Sequence, residues 1–364
     1  DVYKRQGSAC AYTLSQYKLK VVMVEKENDV CMGTTKANSA IIHAGFDPKP
    51  NTLMAKTNVP GNKMCKEICK KLSVPIKEIG SLVVAFDDEE KETLDTLFDR
   101  GIENGVLGME IWDREKILKK EPNISEKAVA ALWAPSAAIV NPWEMGLAMA
   151  ETAVINGCDL KLSFEVKSID KEENCYLIKS ENDEVRAKYV INASGVNTDT
   201  VSSMVGTPNY KIVPTVGEYY LLDKSEGKTV SSVVFPCPSK KGKGVLISPT
   251  VHGNLIVGPT ATVKESKDDT SNTSEGLNSI REKASKVVPN INFRQNIRNF
   301  AGIRANSTVD DFIIDFVAEN FLELAGIRSP GLSSAPAIAK YAIELLQKKG
   351  LVSVSYTHLR AHET

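Results

Sequence analysis

GSACAYTLSQYKLKVVMVEKE, residues 7–27, is the stretch that decides the fold. Its small first residues and the helical spacing of its apolar ones predict a helix, and VVMVEKE then reads as a short buried strand ending in acid. The same alternation returns with a helix over 144–155 and strands over 161–169, 175–180 and 189–193, the last running into a glycine turn. Helix and strand alternating in this way imply a parallel sheet, hence the α/β class. A different texture separates these blocks. Residues 208–222 and 230–262 are strand-rich with Gly and Pro punctuation, and 275–288 reads as a helix, which together predict a separate antiparallel layer. Two short strands over 312–324 and an amphipathic helix over 335–348 bring the chain back to its first domain.

The composition is that of a folded chain in two parts. Its 364 residues carry 45 Lys+Arg against 46 Asp+Glu and are 42% hydrophobic, which excludes a disordered polymer. The length exceeds the usual span of one hydrophobic core, so two domains, or one with a large insertion, are expected. A net charge of -1 with no basic tract argues against nucleic acid as a partner. No stretch reaches the roughly 18 uninterrupted apolar residues of a spanning helix, since the nearest, 128–140, is broken by Pro135 and Ser136, so no transmembrane segment is expected.

The cysteines and the two ends narrow the reading further. The seven cysteines lack C-x-x-C spacing, so neither a disulfide framework nor a metal site is expected, and a reducing cytoplasm fits. Cys65 and Cys69, four apart on a helix, read as core thiols. DVYKRQ (1–6) is polar where a buried strand is required, and SVSYTHLRAHET (353–364) follows a helix that should stop near Gly350. Both ends are read as non-native and set aside, together with His358 and His362.

Four constellations carry chemistry. Gly7, followed by small Ser8 and Ala9, matches the last glycine of a G-x-G-x-x-G turn, and Glu25 closes the next strand where a carboxylate would accept ribose hydroxyls. GTTKANSAIIHAG (33–45) offers Thr34, Thr35, Asn38 and Ser39 as donors to a pyrophosphate and an extended run beneath a flat ring, with His43 inside it. NASG (192–195) sits at a strand end, where an open parallel sheet binds its ligand. AGIRANS (301–307), FIID (312–315) and ELAGIRSPGLSSAPAIA (323–339) place a glycine-rich turn before a helix, which suits stabilising negative charge. Arg304 in that run can hold a carboxylate or phosphate with its planar fork. Each has a plainer reading: a capped helix, a core histidine, a glycine turn, a surface ion pair.

Read together and in order, VVMVEKE, GTTKANSAIIHAGFD, VINASG, IVPTVGEYYLLDK, GVLISPTVHGNLIVGPTA, AGIRA, FIID and AGIRSPGLSSAPAIA resemble the FAD-dependent oxidoreductases of the D-amino-acid-oxidase-like superfamily. More narrowly, the chain is similar to the branch holding L-2-hydroxyglutarate oxidase and the anaerobic glycerol-3-phosphate dehydrogenases. The resemblance implies a discontinuous Rossmann-like FAD-binding domain (7–80, 141–207 and 301–350) with an inserted antiparallel-sheet substrate domain (81–140 and 208–300). It implies that Gly7, Glu25, Thr34, Thr35, Ser39, Val166, Ala193 and Gly195 line the FAD, and that Gly326, Gly331, Leu332 and Ser333 form the loop at the flavin's pyrimidine edge. His43, Tyr219 and Arg304 would then face the substrate as the catalytic set.

Two departures stand out. The first strand and the first two fingerprint glycines are not in the sequence, which puts the FAD affinity of this chain in question. Val216 precedes Gly217, Glu218 and Tyr219 where relatives often carry arginine, which counts against 2-hydroxyglutarate as substrate. The reaction implied is oxidation of a small anionic 2-hydroxy acid or of glycerol 3-phosphate, with hydride passing to flavin N5, Arg304 holding the anion and His43 or His252 taking the hydroxyl proton. Electrons would leave to a quinone, a redox protein or oxygen, in the cytoplasm or peripheral to the inner face of the membrane. The rival readings are an amine or N-methyl amino acid oxidase of the same fold, and a fragment that does not retain FAD.

Overall fold

The computed structural model describes residues 5–238 and 244–355. The chain opens with α1 (Arg5–Leu14), β1 (Val22–Val24), β2 (Ile41–Ile42), α2 (Leu53–Lys71), β3 (Ile76–Glu78) and β4 (Ser81–Ala85). It continues through α3 (Asp88–Glu103), β5 (Glu110–Asp113), α4 (Arg114–Lys120), β6 (Ala130–Ala134), β7 (Ala138–Val140) and α5 (Pro142–Ile155). Then come β8 (Asp159–Lys161), β9 (Ser168–Lys171), β10 (Tyr176–Lys179), β11 (Glu184–Ala187), β12 (Val190–Asn192) and α6 (Thr198–Ser202). The antiparallel block supplies β13 (Ile212–Leu222), β14 (Val233–Pro236), β15 (Leu246–Pro249), β16 (Leu255–Gly258), β17 (Thr262–Val263), α7 (Ser274–Val287) and β18 (Asn296–Ser307). The chain ends with β19 (Ile313–Ala318), β20 (Phe321–Ala325) and α8 (Gly331–Lys348). His358 and His362 lie outside the described residues. Among the described residues no helix is long and apolar enough to cross a membrane.

The α/β class and the inserted antiparallel layer are both present. Nine strands form one sheet in the order β17-β13-β16-β15-β14-β4-β6-β5, with β18 also paired to β13. The β13–β18 ladder runs from Ile212 opposite Ser307 to Leu222 opposite Asn296. This sheet therefore extends through Ser307, beyond residue 300, where the sequence places the domain boundary. Within this sheet β4 and β14 pair parallel; outside it the parallel strands are in two pieces, β1 with β8 and β12 with β20, which carries β19 antiparallel. Between the pieces lies a cleft of about 600 Å³, walled by Val22, Val24, Val190 and Ile191, with Leu14 and Leu346 above.

Local chemistry sets the helix ends. Thr52 caps α2 by accepting the Ala55 N–H at 3.2 Å, and Asn141 caps α5 with Pro142 as its first residue. Asp87 caps α3, whose first turn carries Asp88, Glu89 and Glu90 against the positive helix end. The helix expected over 335–348 begins four residues earlier, at Gly331. The strand expected over 161–169 is broken: Ser163 takes a φ of 54° and pairing resumes only at Ser168, so Val166 sits in irregular chain and not in a strand. Ala40, expected in extended chain, has a φ of 61°.

The main core forms where α1, α2, α5 and α8 meet, around Cys10, Cys65, Cys69, Met145, Met149, Ile338 and Ala342. Six of the seven free cysteines are buried. Pro336 lacks an N–H, which leaves the Leu332 carbonyl without its usual partner in α8, and the Cys65 thiol lies 3.7 Å from that oxygen and 3.4 Å from the Ser333 carbonyl, to either of which it can donate. The helices α2 and α8 touch through Gly61, where a Cβ would stand 2.2 Å from the Ser333 carbonyl oxygen. Gly61→Ala is therefore expected to destabilise the protein by about 1–3 kcal/mol. In a urea titration the midpoint should fall with an unchanged slope, and an unmoved midpoint would show that the helices part without cost.

Candidate functional site

The first turns of α1 and α8 meet end to end. Gln6 Nε2 donates to the Gly331 carbonyl at 3.0 Å, which sets Gly7 and Ser8 beside Gly331, Leu332 and Ser333. Both helix starts are buried, and two hydroxyls there, Ser8 Oγ and Ser334 Oγ, have no hydrogen-bond partner among the described residues. Buried hydroxyls without partners are uncommon, and helix N-termini favour negatively charged groups. Ser333 Oγ accepts the His43 backbone N–H at 2.6 Å, so the start of α8 fixes the histidine segment.

The strand ends supply the second part. Glu25 follows β1, is buried, and accepts the Glu27 N–H at 3.1 Å, while its carbonyl accepts the Phe164 N–H at 2.6 Å. Ala193 and Gly195 follow β12, and Gly326 follows β20. Gly195 and Gly326 have φ values of 60° and 64°, a region where L side chains are strained. These two turns sit at the carboxyl ends of neighbouring parallel strands, the ligand-binding end of an open sheet. Val166 packs with Phe164 and Val24 beneath the β1 end.

The third part joins the loop of residues 33–45 to the antiparallel sheet. Thr34 and Thr35 lie in a short 3-10 turn, and Thr34 Oγ1 donates to the Ile303 carbonyl on β18 at 2.5 Å. Gly302 lets β18 approach this turn, since a Cβ there would stand 1.9 Å from the Ala37 carbonyl oxygen. The Ser39 hydroxyl lies 3.1 Å from the Tyr219 hydroxyl, and Tyr219 stacks on Phe300 at 4.8 Å. Arg304 is opposite Thr215, and its Nη2 covers Gly217, where a Cβ would come within 2.9 Å. Among the described residues Arg304 has no ion-pair partner. Residues 217 and 219 share a face of β13, so guanidinium and phenol line one wall.

His43 is half-buried. Its Nε2 is 3.3 Å from Ser329 Oγ, its ring stacks on Phe235 at 5.9 Å, and its carbonyl accepts from Asn58 Nδ2 at 2.9 Å and Asn62 Nδ2 at 3.0 Å. His252, the other candidate base, instead meets Glu144 at 3.1 Å and Asn141 at 3.3 Å around the start of α5. Sequence reasoning passed over Gln6, Ser329, Phe235, Phe300 and the asparagine pair. Asn58 and Asn62 carried a usable signal, two amides four apart on one face of a helix. The contacts of Phe235 and Phe300 depend on strand register and left no mark in the sequence.

The residues fit an FAD. A buried carboxylate ends one strand, hydroxyls line the turn at 34–39, positive-φ glycines stand at two strand ends, and two helix N-termini carry unpartnered hydroxyls. Comparison with known proteins agrees. The family described as FAD dependent oxidoreductase matches residues 6–345. The glycerol 3-phosphate dehydrogenase of Caloramator mitchellensis is 50% identical, with 94% of this chain and 72% of that protein covered. The mitochondrial L-2-hydroxyglutarate dehydrogenase of Mus musculus is 28% identical, with 94% and 86% covered. The dithionite-reduced L-α-glycerophosphate oxidase of Mycoplasma pneumoniae, solved with FAD bound, superposes with a TM-score of 0.92 at 32% identity, covering 98% of this chain and 94% of that one. Sequence motifs, strand-end geometry and these likenesses converge, and the chain belongs to the FAD-dependent oxidoreductases of the D-amino-acid-oxidase-like superfamily.

Proposed function

We propose that this enzyme oxidises a small anionic CH–OH donor, glycerol 3-phosphate first, with L-2-hydroxyglutarate as the second choice. The observation that carries this reading is Arg304, a cation laid over Gly217 without a carboxylate partner among the described residues, on the wall that holds Tyr219. Such a fork suits a phosphate or carboxylate and costs little reorganisation when the anion arrives. The likeness to glycerol 3-phosphate dehydrogenase and oxidase relatives supports the phosphate ester over the dicarboxylate. Val216, in place of the arginine expected before the Gly217–Tyr219 run, leans the same way. The free thiols support a reducing, cytoplasmic location.

Glu25, Thr34, Thr35, Ser39, Ala193, Gly195, Gly326 and the first turn of α8 would hold the FAD, with Gly7 in the first turn of α1 beside it. When bound, FAD supplies the acceptor for the hydride that leaves the substrate carbon. The protein's own residues do the rest. Arg304 fixes the anionic end, and Tyr219 with Ser39 orients the hydroxylated chain. His43 takes the hydroxyl proton at Nε2, steadied by Ser329 and the Phe235 ring, because imidazole ordinarily titrates near neutral pH. Loss of hydride from carbon and of the proton from oxygen leaves a ketone.

The reading is tested by an anaerobic absorbance spectrum of the protein with FAD, followed by glycerol 3-phosphate, L-2-hydroxyglutarate or N-methylglycine in separate cuvettes. Bleaching by glycerol 3-phosphate is expected. Bleaching by N-methylglycine alone would replace this reading with an amine oxidase, and re-oxidation by air or by a quinone then identifies the electron acceptor. Arg304→Ala should raise KM and cut kcat/KM for glycerol 3-phosphate roughly 30- to 150-fold, about 2–3 kcal/mol, while leaving the slow turnover of glycerol unchanged. Equal losses on both substrates would remove Arg304 from the anion site. His43→Asn should slow flavin reduction about 10²- to 10⁴-fold in stopped flow with little change in substrate affinity; an unslowed rate would place the base elsewhere.

A further inference from the structure

Below the turn at 193–195 runs a string of buried polar side chains that the reaction above does not use. Glu323, on β20, is 4% exposed and stands in register between Asn192 on β12 and Asp315 on β19. Its Oε2 accepts the Ser202 hydroxyl at 2.6 Å and the Tyr210 hydroxyl at 2.8 Å. Ser202 Oγ accepts in turn from Asn192 Nδ2 at 3.0 Å, and the same amide donates to the Thr198 carbonyl at 3.0 Å. Asn192 Oδ1 receives the Ser194 N–H at 3.2 Å and the Ser194 hydroxyl at 2.6 Å. One line of hydrogen bonds thus leads from the strand before Gly326 to the turn that carries Ala193 and Gly195.

The order of donors makes Glu323 the end on which the line depends. Ser202 has a single hydroxyl proton, and because it goes to Glu323 the oxygen's lone pairs remain for the Asn192 amide. Remove that acceptor and the serine proton must be placed elsewhere, in competition with Asn192. A satisfied buried network of this kind rigidifies its surroundings, whereas a partly satisfied one loosens them. No cation pairs with Glu323 among the described residues. The groups facing it are Asn192 from β12, Asp315 from β19, Ser202 and, further off, Asp199 from α6, and Tyr210.

We propose that Glu323 is a positioning residue for the cofactor: through Ser202 and Asn192 it holds the turn at 193–195 in the shape that receives FAD. This rests on the reading that FAD lies against that turn. Burial pushes the Glu323 carboxyl above its usual range, with Asp315 adding to the effect. The folded chain therefore keeps this proton to higher pH than the unfolded chain does, while the Ser202 and Tyr210 hydroxyls pull the other way by favouring the ionised form that accepts them. Glutamine can accept both hydroxyls through its carbonyl oxygen without ever ionising.

The test is the FAD dissociation constant, followed by flavin fluorescence, for the wild type, E323Q, E323A and S202A, with each apoprotein's melting temperature recorded beside it. E323Q should stay within about threefold of wild type, and E323A and S202A should bind at least tenfold more weakly. S202A keeps the Glu323–Tyr210 contact and carries the test if E323A does not fold. Wild-type affinity in S202A, or a loss in E323Q equal to that in E323A, would overturn the role of Glu323 alone. A wild-type chain that takes up no FAD would favour the reading of a fragment that does not retain the cofactor and would overturn this role for Glu323 in it.

Discussion

The first turn of α8 is approached on three sides, and the rest of the site depends on that crowding. Gln6 at the start of α1 takes the Gly331 carbonyl, Gly61 of α2 lies against the Ser333 carbonyl, and the Ser333 hydroxyl holds the backbone of His43. Only small residues allow this: Gly61 on one partner, and Gly331, Ser333 and Ser334 on the other. The turn is placed as much by backbone contact as by side-chain packing. Side chains can change rotamer, whereas a carbonyl a glycine's width from a neighbouring helix cannot move without moving both helices. The histidine and the helix N-terminus beside it therefore share one frame.

The antiparallel sheet contributes its wall through the long β13–β18 ladder, and buried carboxylates anchor its surroundings. Glu218 accepts the Thr273 N–H at the start of α7 and the Thr260 and Thr273 hydroxyls at 3.2 and 3.1 Å. Glu121, 1% exposed, takes the Ser231 N–H and the hydroxyls of Ser231 and Ser232. Each acid is met by uncharged donors, and one of them by a helix end, which lowers the cost of burying an unpaired charge. Arg304, on β18 of the same sheet, has no ion-pair partner among the described residues.

Much of this was legible in the sequence because it rests on local pattern. The helix and strand of residues 7–27, the NASG turn, the glycines before α8 and the amphipathic helix itself follow from periodicity and from what glycine permits. Strand-end acids and hydroxyl-rich turns carry their chemistry in residue type, so Glu25, Thr34 and Ser39 could be singled out without a structure. What escaped depends on distant partners. Phe235 and Phe300 become site residues only through strand register, Gln6 only through a helix that starts 325 positions later, and Val166 left its expected strand when Ser163 turned to positive φ. The division of the parallel strands into two pieces does have a counterpart in the sequence, since polar DVYKRQ stands where a buried strand is required.

That division has a thermodynamic side. Glu25 extends from the β1 piece and the turn at 193–195 from the β12 piece, with the cleft between them. A ligand that touches both rims makes contacts that only the folded chain presents. Binding accordingly adds RT ln(1 + [L]/Kd) to the free energy of unfolding, so the melting temperature climbs with free ligand concentration.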